Sequence, residues 1–142
     1  MRLVFFLFLL IHATGIVAAQ GADPDIVSPA DTTLRPVLLV FAGSDWCQPC
    51  IRFEKKVLSD SAFLSFAQTS LNVVKADFPQ RKKLLPAQRR ENELLAERYN
   101  PEGKFPHVVL IRPDGTVLAV LPSDAENGAA FVAQIEKYLP RQ

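Results

Sequence analysis

Two residues of this sequence stand out for the chemistry they could do. They are Cys47 and Cys50, in the run Trp46-Cys47-Gln48-Pro49-Cys50, and the chain has no other cysteine. Three positions apart on a first helical turn, two thiols lie close enough to join as a disulfide. The first of them faces backbone N–H groups that lack intrahelical acceptors, and it faces the positive end of the helix dipole. Both favour a thiolate. The chemistry predicted for the pair is reversible cycling between dithiol and disulfide. It requires the sulfur of Cys47 to be nucleophilic and reachable from solvent. A purely structural bridge is the duller alternative. Closing so short a loop contributes only about 2 kcal/mol in the chain-entropy model.

The elements around the pair follow from hydrophobic patterning. Val37-Leu38-Leu39-Val40-Phe41, opened by Pro36, is apolar at every position and predicts a strand buried on both faces. Ala42-Gly43-Ser44-Asp45 is the turn into the site, and a helix is expected from about Gln48 to Val57. Its apolar contacts are Ile51, Phe53, Val57 and Leu58, and its wet side carries Glu54, Lys55 and Lys56. Ser59 reads as the N-cap of a second helix, Asp60 to about Ala67, with Phe63, Leu64 and Phe66 as its apolar residues. Leu71 to Ala76 reads as a second buried strand ending at Asp77.

Phe78 to Leu85 is irregular and basic, with Arg81, Lys82 and Lys83. It reads first as a solvated face, with a docking patch for a partner as the alternative. Pro86 suits a first helical position, and a helix through Tyr99 follows, with Leu94, Leu95 and Tyr99 on one side. Phe105-Pro106 leads into the strand His107 to Ile111. Arg112-Pro113-Asp114-Gly115 is a hairpin turn, and Thr116 to Leu121 returns. A last helix, Asn127 to Leu139, turns Phe131, Ile135 and Tyr138 toward the core. Helical crossovers followed by a hairpin imply an α/β fold: a mixed central sheet with helices on both faces.

The start of the chain is a separate segment. A short positive end, Met1-Arg2, precedes the apolar run Leu3 to Ile11 and then small residues up to Ala19. This is the pattern of a secretory signal peptide, with cleavage expected before Gln20. The expected division is a signal peptide over 1–19, a polar N-terminal tail over 20–35 and one domain over 36–142. The exported chain would be periplasmic or secreted, with no membrane attachment after cleavage. An oxidising compartment tends to close a cysteine pair. Loss of Arg2 leaves equal numbers of cationic and acidic side chains, so no broad attraction to nucleic acid is expected. His12 leaves with the signal peptide. Cys47, Cys50 and His107 then make three metal ligands at most, a set suited to a Cu(I) chaperone rather than to structural zinc.

The order of elements resembles the thioredoxin superfamily over about Pro36 to Leu139. Trp46-Cys47-x-x-Cys50 follows the first strong strand, and Phe105-Pro106 precedes the hairpin. Phe41-Ala42-Gly43-Ser44-Asp45-Trp46-Cys47, with Glu54 and Lys55 after it, is most similar to exported bacterial thioredoxin-like proteins. Those in turn are similar to the periplasmic C-terminal domain of membrane thiol transporters. The resemblance implies a three-layer thioredoxin-like sandwich and a thiol:disulfide oxidoreductase of the protein-disulfide reductase type. Cys47 would be the attacking thiolate and Cys50 the resolving thiol. Trp46 would flank the site. Pro106 would be a cis-proline opposite the disulfide, turning Phe105 outward to a substrate peptide. No metal or organic cofactor is implied. The partners would be protein thiols and disulfides, with a membrane thiol transporter as electron donor, and the chain would be a monomer. A non-catalytic binding domain of the same fold is the remaining alternative.

One departure from the family pattern matters. The buried aspartate that usually serves the second cysteine as proton acceptor falls here on Val40 or Phe41. Water, Glu54 or Asp45 would have to serve instead. The intervening Gln48-Pro49 carries no positive charge. A moderately reducing protein with a Cys47 pKa of about 6 to 8 is expected.

Overall fold

The computed structural model describes residues 34–140. The expected signal peptide and nearly all of the expected tail therefore lie outside the described residues. Four strands form one sheet in the order β2-β1-β3-β4. Strand β1 (Val37–Ala42) is central and lies between β2 (Asn72–Asp77), parallel to it, and β3 (His107–Ile111), antiparallel to it. Strand β4 (Val117–Leu121) returns beside β3 after the Arg112–Gly115 turn. Gly115 takes a positive φ of 85° there, a conformation that costs glycine least.

Alternation along β1 divides the core. Leu38 and Val40 point to one face, where helix α1 (Gln48–Phe53), helix α2 (Ser61–Ser70) and helix α4 (Gly128–Glu136) bury Phe53, Phe63, Phe131 and Ile135. Leu39 and Phe41 point to the other face, under Leu95, Ala96 and Tyr99 of helix α3 (Pro86–Tyr99). The aromatic centre of the larger cluster is Phe131, whose ring meets Phe53 edge-on at 5.2 Å and Phe63 at 6.0 Å. Among the described residues no helix is long and apolar enough to cross a membrane.

Several sequence expectations are corrected here. Strand β2 is not buried: it is an edge strand, paired only with β1 among the described residues. Val73, Val74 and Lys75 are exposed and only Ala76 is fully covered. The second helix is capped by Asp60 rather than Ser59. The Asp60 backbone is extended and its carboxylate accepts the Ala62 N–H at 2.8 Å. The first helix continues as a π-helical segment, Glu54–Leu58, closed by the Ser59 N–H donating to the Glu54 carbonyl at 2.9 Å. Ile51, Leu64, Leu94 and Tyr138, expected to pack inward, are exposed. Ile51, Leu64 and Leu94 lie on the outer side of helices whose inner stripe is already filled by their neighbours, and Tyr138 lies beyond the last helix, which ends at Glu136 rather than at Leu139.

Candidate redox site

Three strand ends converge on the cysteines. The C-terminal end of β1 runs directly into the Gly43–Trp46 turn. Parallel pairing brings Asp77, at the end of β2, opposite Ala42. Antiparallel pairing brings His107, at the start of β3, opposite Phe41. Phe105, Pro106 and Phe78 are therefore carried to the turn although they lie about thirty to sixty positions away in sequence. The Phe105–Pro106 peptide is cis.

The Gly43 carbonyl accepts both the Trp46 and the Cys47 N–H, at 3.3 and 2.9 Å, which curls the chain into the helix start. Cys47 occupies the N-cap position of α1, and Pro49 sits in its first turn, where a missing N–H costs nothing. Cys47 and Cys50 are joined as a disulfide, with an S–S distance of 2.02 Å and Cα atoms 5.2 Å apart. The Cys50 N–H donates to Cys47 Sγ at 3.3 Å. A thiolate formed at that sulfur on reduction keeps this donor, and hydrogen bonding to the charged form favours it. In the disulfide state Cys47 is buried, 4% exposed, whereas the chemistry predicted from sequence requires a sulfur reachable from solvent.

An aromatic rim is built on the residue before Cys47. Phe105 is held edge-on between two rings, Trp46 and Phe78, each with its centroid 5.5 Å away. Trp46 Nε1 donates to the Phe78 carbonyl at 2.8 Å. The indole lies close against Gly43, and a Cβ added there would stand 2.3 Å from it. Phe78 and Gly43 were not singled out as site residues from sequence. No local signal joins residue 78 to residue 46; only the β1–β2 pairing does.

The two carboxylates expected to be available to Cys50 are engaged elsewhere. Asp45 accepts three backbone N–H groups, from Gln80 at 2.9 Å, Arg81 at 2.7 Å and Lys82 at 3.0 Å. The Gln80 N–H chiefly holds its carboxyl below the ordinary carboxylate range; desolvation opposes this, and the Arg81 and Lys82 N–H groups and the Arg81 charge add to the lowering. Glu54 pairs with Lys75 at 2.6 Å. Asp77 clamps the turn: it accepts the Ser44 N–H at 2.8 Å and the Ser44 hydroxyl at 2.6 Å. The two candidate positions for the family's aspartate lie on opposite faces of β1. Val40 lies on the face that α1 covers and Phe41 on the opposite one, and both are fully buried and apolar.

His107 does not join the cysteines. Strand alternation puts it with Val109 and Ile111 on the α3 face, where its Nε2 lies 3.2 Å from the Tyr99 carbonyl and its ring packs near Phe41. Among the described residues no three His, Cys, Asp or Glu side chains gather as metal ligands. The three-ligand copper site weighed as an alternative for Cys47, Cys50 and His107 is therefore not formed among the described residues, because β3 points its histidine through the far side of the sheet.

The site has a disulfide at a helix start, an indole before it and a cis-proline preceding β3, and sequence comparison supplies the kinship. A thioredoxin-like family model matches residues 23–113. The chain belongs to the thioredoxin-like family. It is 37% identical over 105 residues to the disulfide bond reductase DsbH of Chlamydia pneumoniae, a match covering 74% of this chain. The chain spans 63% of the length of that relative. A solved structure of a DsbH oxidoreductase superposes with a TM-score of 0.70 at 33% identity, over 78% of this chain and 81% of that one. The oxidised C-terminal domain of Neisseria meningitidis DsbD shares the fold, with a TM-score of 0.51 at 20% identity over 78% of this chain and 85% of that one. The chemistry open to such a pair is two-electron exchange between a dithiol and a disulfide.

Proposed function

We propose that this thioredoxin-like chain is an exported protein-disulfide reductase. The observation that carries the proposal is the Cys47–Cys50 disulfide at the start of α1, with the Cys50 N–H directed at Cys47 Sγ. In the reduced protein the Cys47 thiolate attacks one sulfur of a substrate disulfide. That bond breaks, and the departing thiolate takes up a proton. Cys50 then loses its proton and attacks Cys47 Sγ. The second substrate thiolate leaves, and two electrons have passed from the protein to the substrate. With Asp45 and Glu54 engaged elsewhere, water takes the proton from Cys50. Trp46, Phe105 and Pro106 form the rim on which the substrate peptide lies. An external dithiol must re-reduce the pair, and a membrane thiol transporter is the donor that suits a protein exported through the segment 1–19. The chain acts as a monomer and needs no metal or organic cofactor. The 37% identity to a disulfide bond reductase supports the reducing direction.

The test uses two cysteine variants. Wild type with dithiothreitol should accelerate insulin reduction, read as turbidity, and Cys47→Ser should not. Cys50→Ser should accumulate a mixed disulfide through Cys47, visible by mass. Reduced wild type should also be alkylated by iodoacetamide at pH 7 faster than free cysteine, as a lowered thiol pKa requires. An alkylation rate at Cys47 no faster than that of free cysteine, together with no mixed disulfide, removes the assignment and leaves a non-catalytic binding domain.

A further inference from the structure

We propose that Arg81, Lys82 and Lys83 form a docking surface for acidic polypeptide flanking the disulfide on which Cys47 acts, an inference that rests on the exchange activity proposed for that cysteine. From sequence the basic stretch reads as a solvated face. The structure ties it to the redox site instead. Asp45, two residues before Cys47, grips the backbone N–H groups of Gln80, Arg81 and Lys82. Two further bonds hold the same segment at its start. The Phe78 N–H donates to the Ala42 carbonyl at 2.7 Å, and the Phe78 carbonyl accepts Trp46 Nε1 at 2.8 Å. The backbone bearing the three cations is thus anchored to the turn that presents Cys47.

The anchoring is through the main chain, although the Arg81 charge also acts on the Asp45 carboxylate. Asp45 is engaged by main-chain N–H groups, and the side chains of Arg81, Lys82 and Lys83 are exposed and enter no salt bridge among the described residues. A merely solvated face mixes both signs, as later α3 does with Glu91, Glu93, Glu97 and Arg98. From residue 78 to residue 90 there are five cations and no acid. A chain whose formal net charge is only +1 therefore clusters five cations on and after a segment anchored, through Asp45, to the turn that presents Cys47. The field of such a cluster steers oppositely charged partners and acts on association more than on the chemical step. Carboxylates near the partner's disulfide are the groups that match it.

The experiment compares three peptides of equal length, each with one cysteine held as a mixed disulfide with 5-thio-2-nitrobenzoate. The residues flanking that cysteine are Glu, Ser or Lys. Reduced protein attacks the peptide sulfur and releases the coloured thiolate, and Cys50 then displaces the peptide thiol. For wild type at low ionic strength the Glu peptide should react about tenfold faster than the Lys peptide, and the ratio should shrink to about twofold or less in 0.5 M salt. In the combined variant Arg81→Ser, Lys82→Ser, Lys83→Ser the ratio should collapse toward unity at low salt. These substitutions leave intact the main-chain bonds to Asp45. A ratio equal in wild type and variant, or insensitive to salt, overturns the docking surface while leaving the exchange activity standing. Inertness toward all three peptides removes both proposals. Binding to equimolar phosphatidylcholine–phosphatidylglycerol vesicles that the variant loses, without any peptide preference, assigns the patch to an anionic membrane and likewise overturns the proposal.

Discussion

Gly43→Ala is the smallest change that should disturb the rim without touching a sulfur. A Cβ at position 43 would stand 2.3 Å from Trp46 Cε2, 2.4 Å from Nε1 and 2.6 Å from Cζ2, where ordinary contact begins near 3.4 Å. The indole must therefore move by roughly 1 Å or more, a distance set by hard-core repulsion between carbons. A move of that size along the bond to the Phe78 carbonyl takes it from 2.8 Å out of hydrogen-bonding range. Crowding of this kind costs about 1–3 kcal/mol. The lost hydrogen bond adds about 1 kcal/mol, and the disturbed edge contact with Phe105 adds about 0.5–1 kcal/mol. Reduced freedom of the unfolded chain returns about 0.4–1 kcal/mol. The net destabilisation is about 2–4 kcal/mol. For a domain of this size that corresponds to a fall in Tm of about 8–16 °C. Thermal unfolding of the oxidised protein followed by circular dichroism measures it. Trp46 is the only tryptophan, so its emission reports the displacement at the same time. A variant that melts within 2 °C of wild type with unchanged emission would show that the indole does not rest on Gly43, and the account of the rim would fail with it.

Two further outcomes follow from the same geometry. Phe131→Ala removes the ring that both Phe53 and Phe63 pack against at full burial. It should cost about 3–5 kcal/mol, checked by urea denaturation; a loss under about 1 kcal/mol would contradict the assignment of the core centre. Asp45 has its carboxyl held low in the folded protein by the Gln80, Arg81 and Lys82 N–H groups. Its stabilising effect is therefore complete above the unfolded value of about 4 and is lost as pH falls through the lower folded value. Amide exchange at residues 80–82 should stay protected from pH 7 to about pH 4 and open only in stronger acid. Asp45→Asn should lose that protection already at neutral pH, and unchanged protection there would refute the clamp.

Much of this molecule is legible in the order of its residues, because local chemistry decides it. An unbroken apolar run forces β1 into the interior. Asp114-Gly115 forces a turn, and two cysteines three apart at a helix start bring their sulfurs within bonding distance. What pairs across the sheet is not local. Lys75 and Val74 occupy an apolar-looking run that becomes an edge, because strand order decides which strands acquire neighbours on both sides. His107 follows the cis-proline in sequence yet projects through the opposite face, since side chains alternate along β3. Asp45 carries no mark of its three donors, which lie 35 to 37 positions downstream and reach it only when β2 lies parallel to β1. The reactive pair was determined by sequence. The aromatic rim and the anchored basic loop around it were decided by tertiary structure, because strand pairing alone brings residues so distant in the chain within the few ångströms over which hydrogen bonds and ring contacts act.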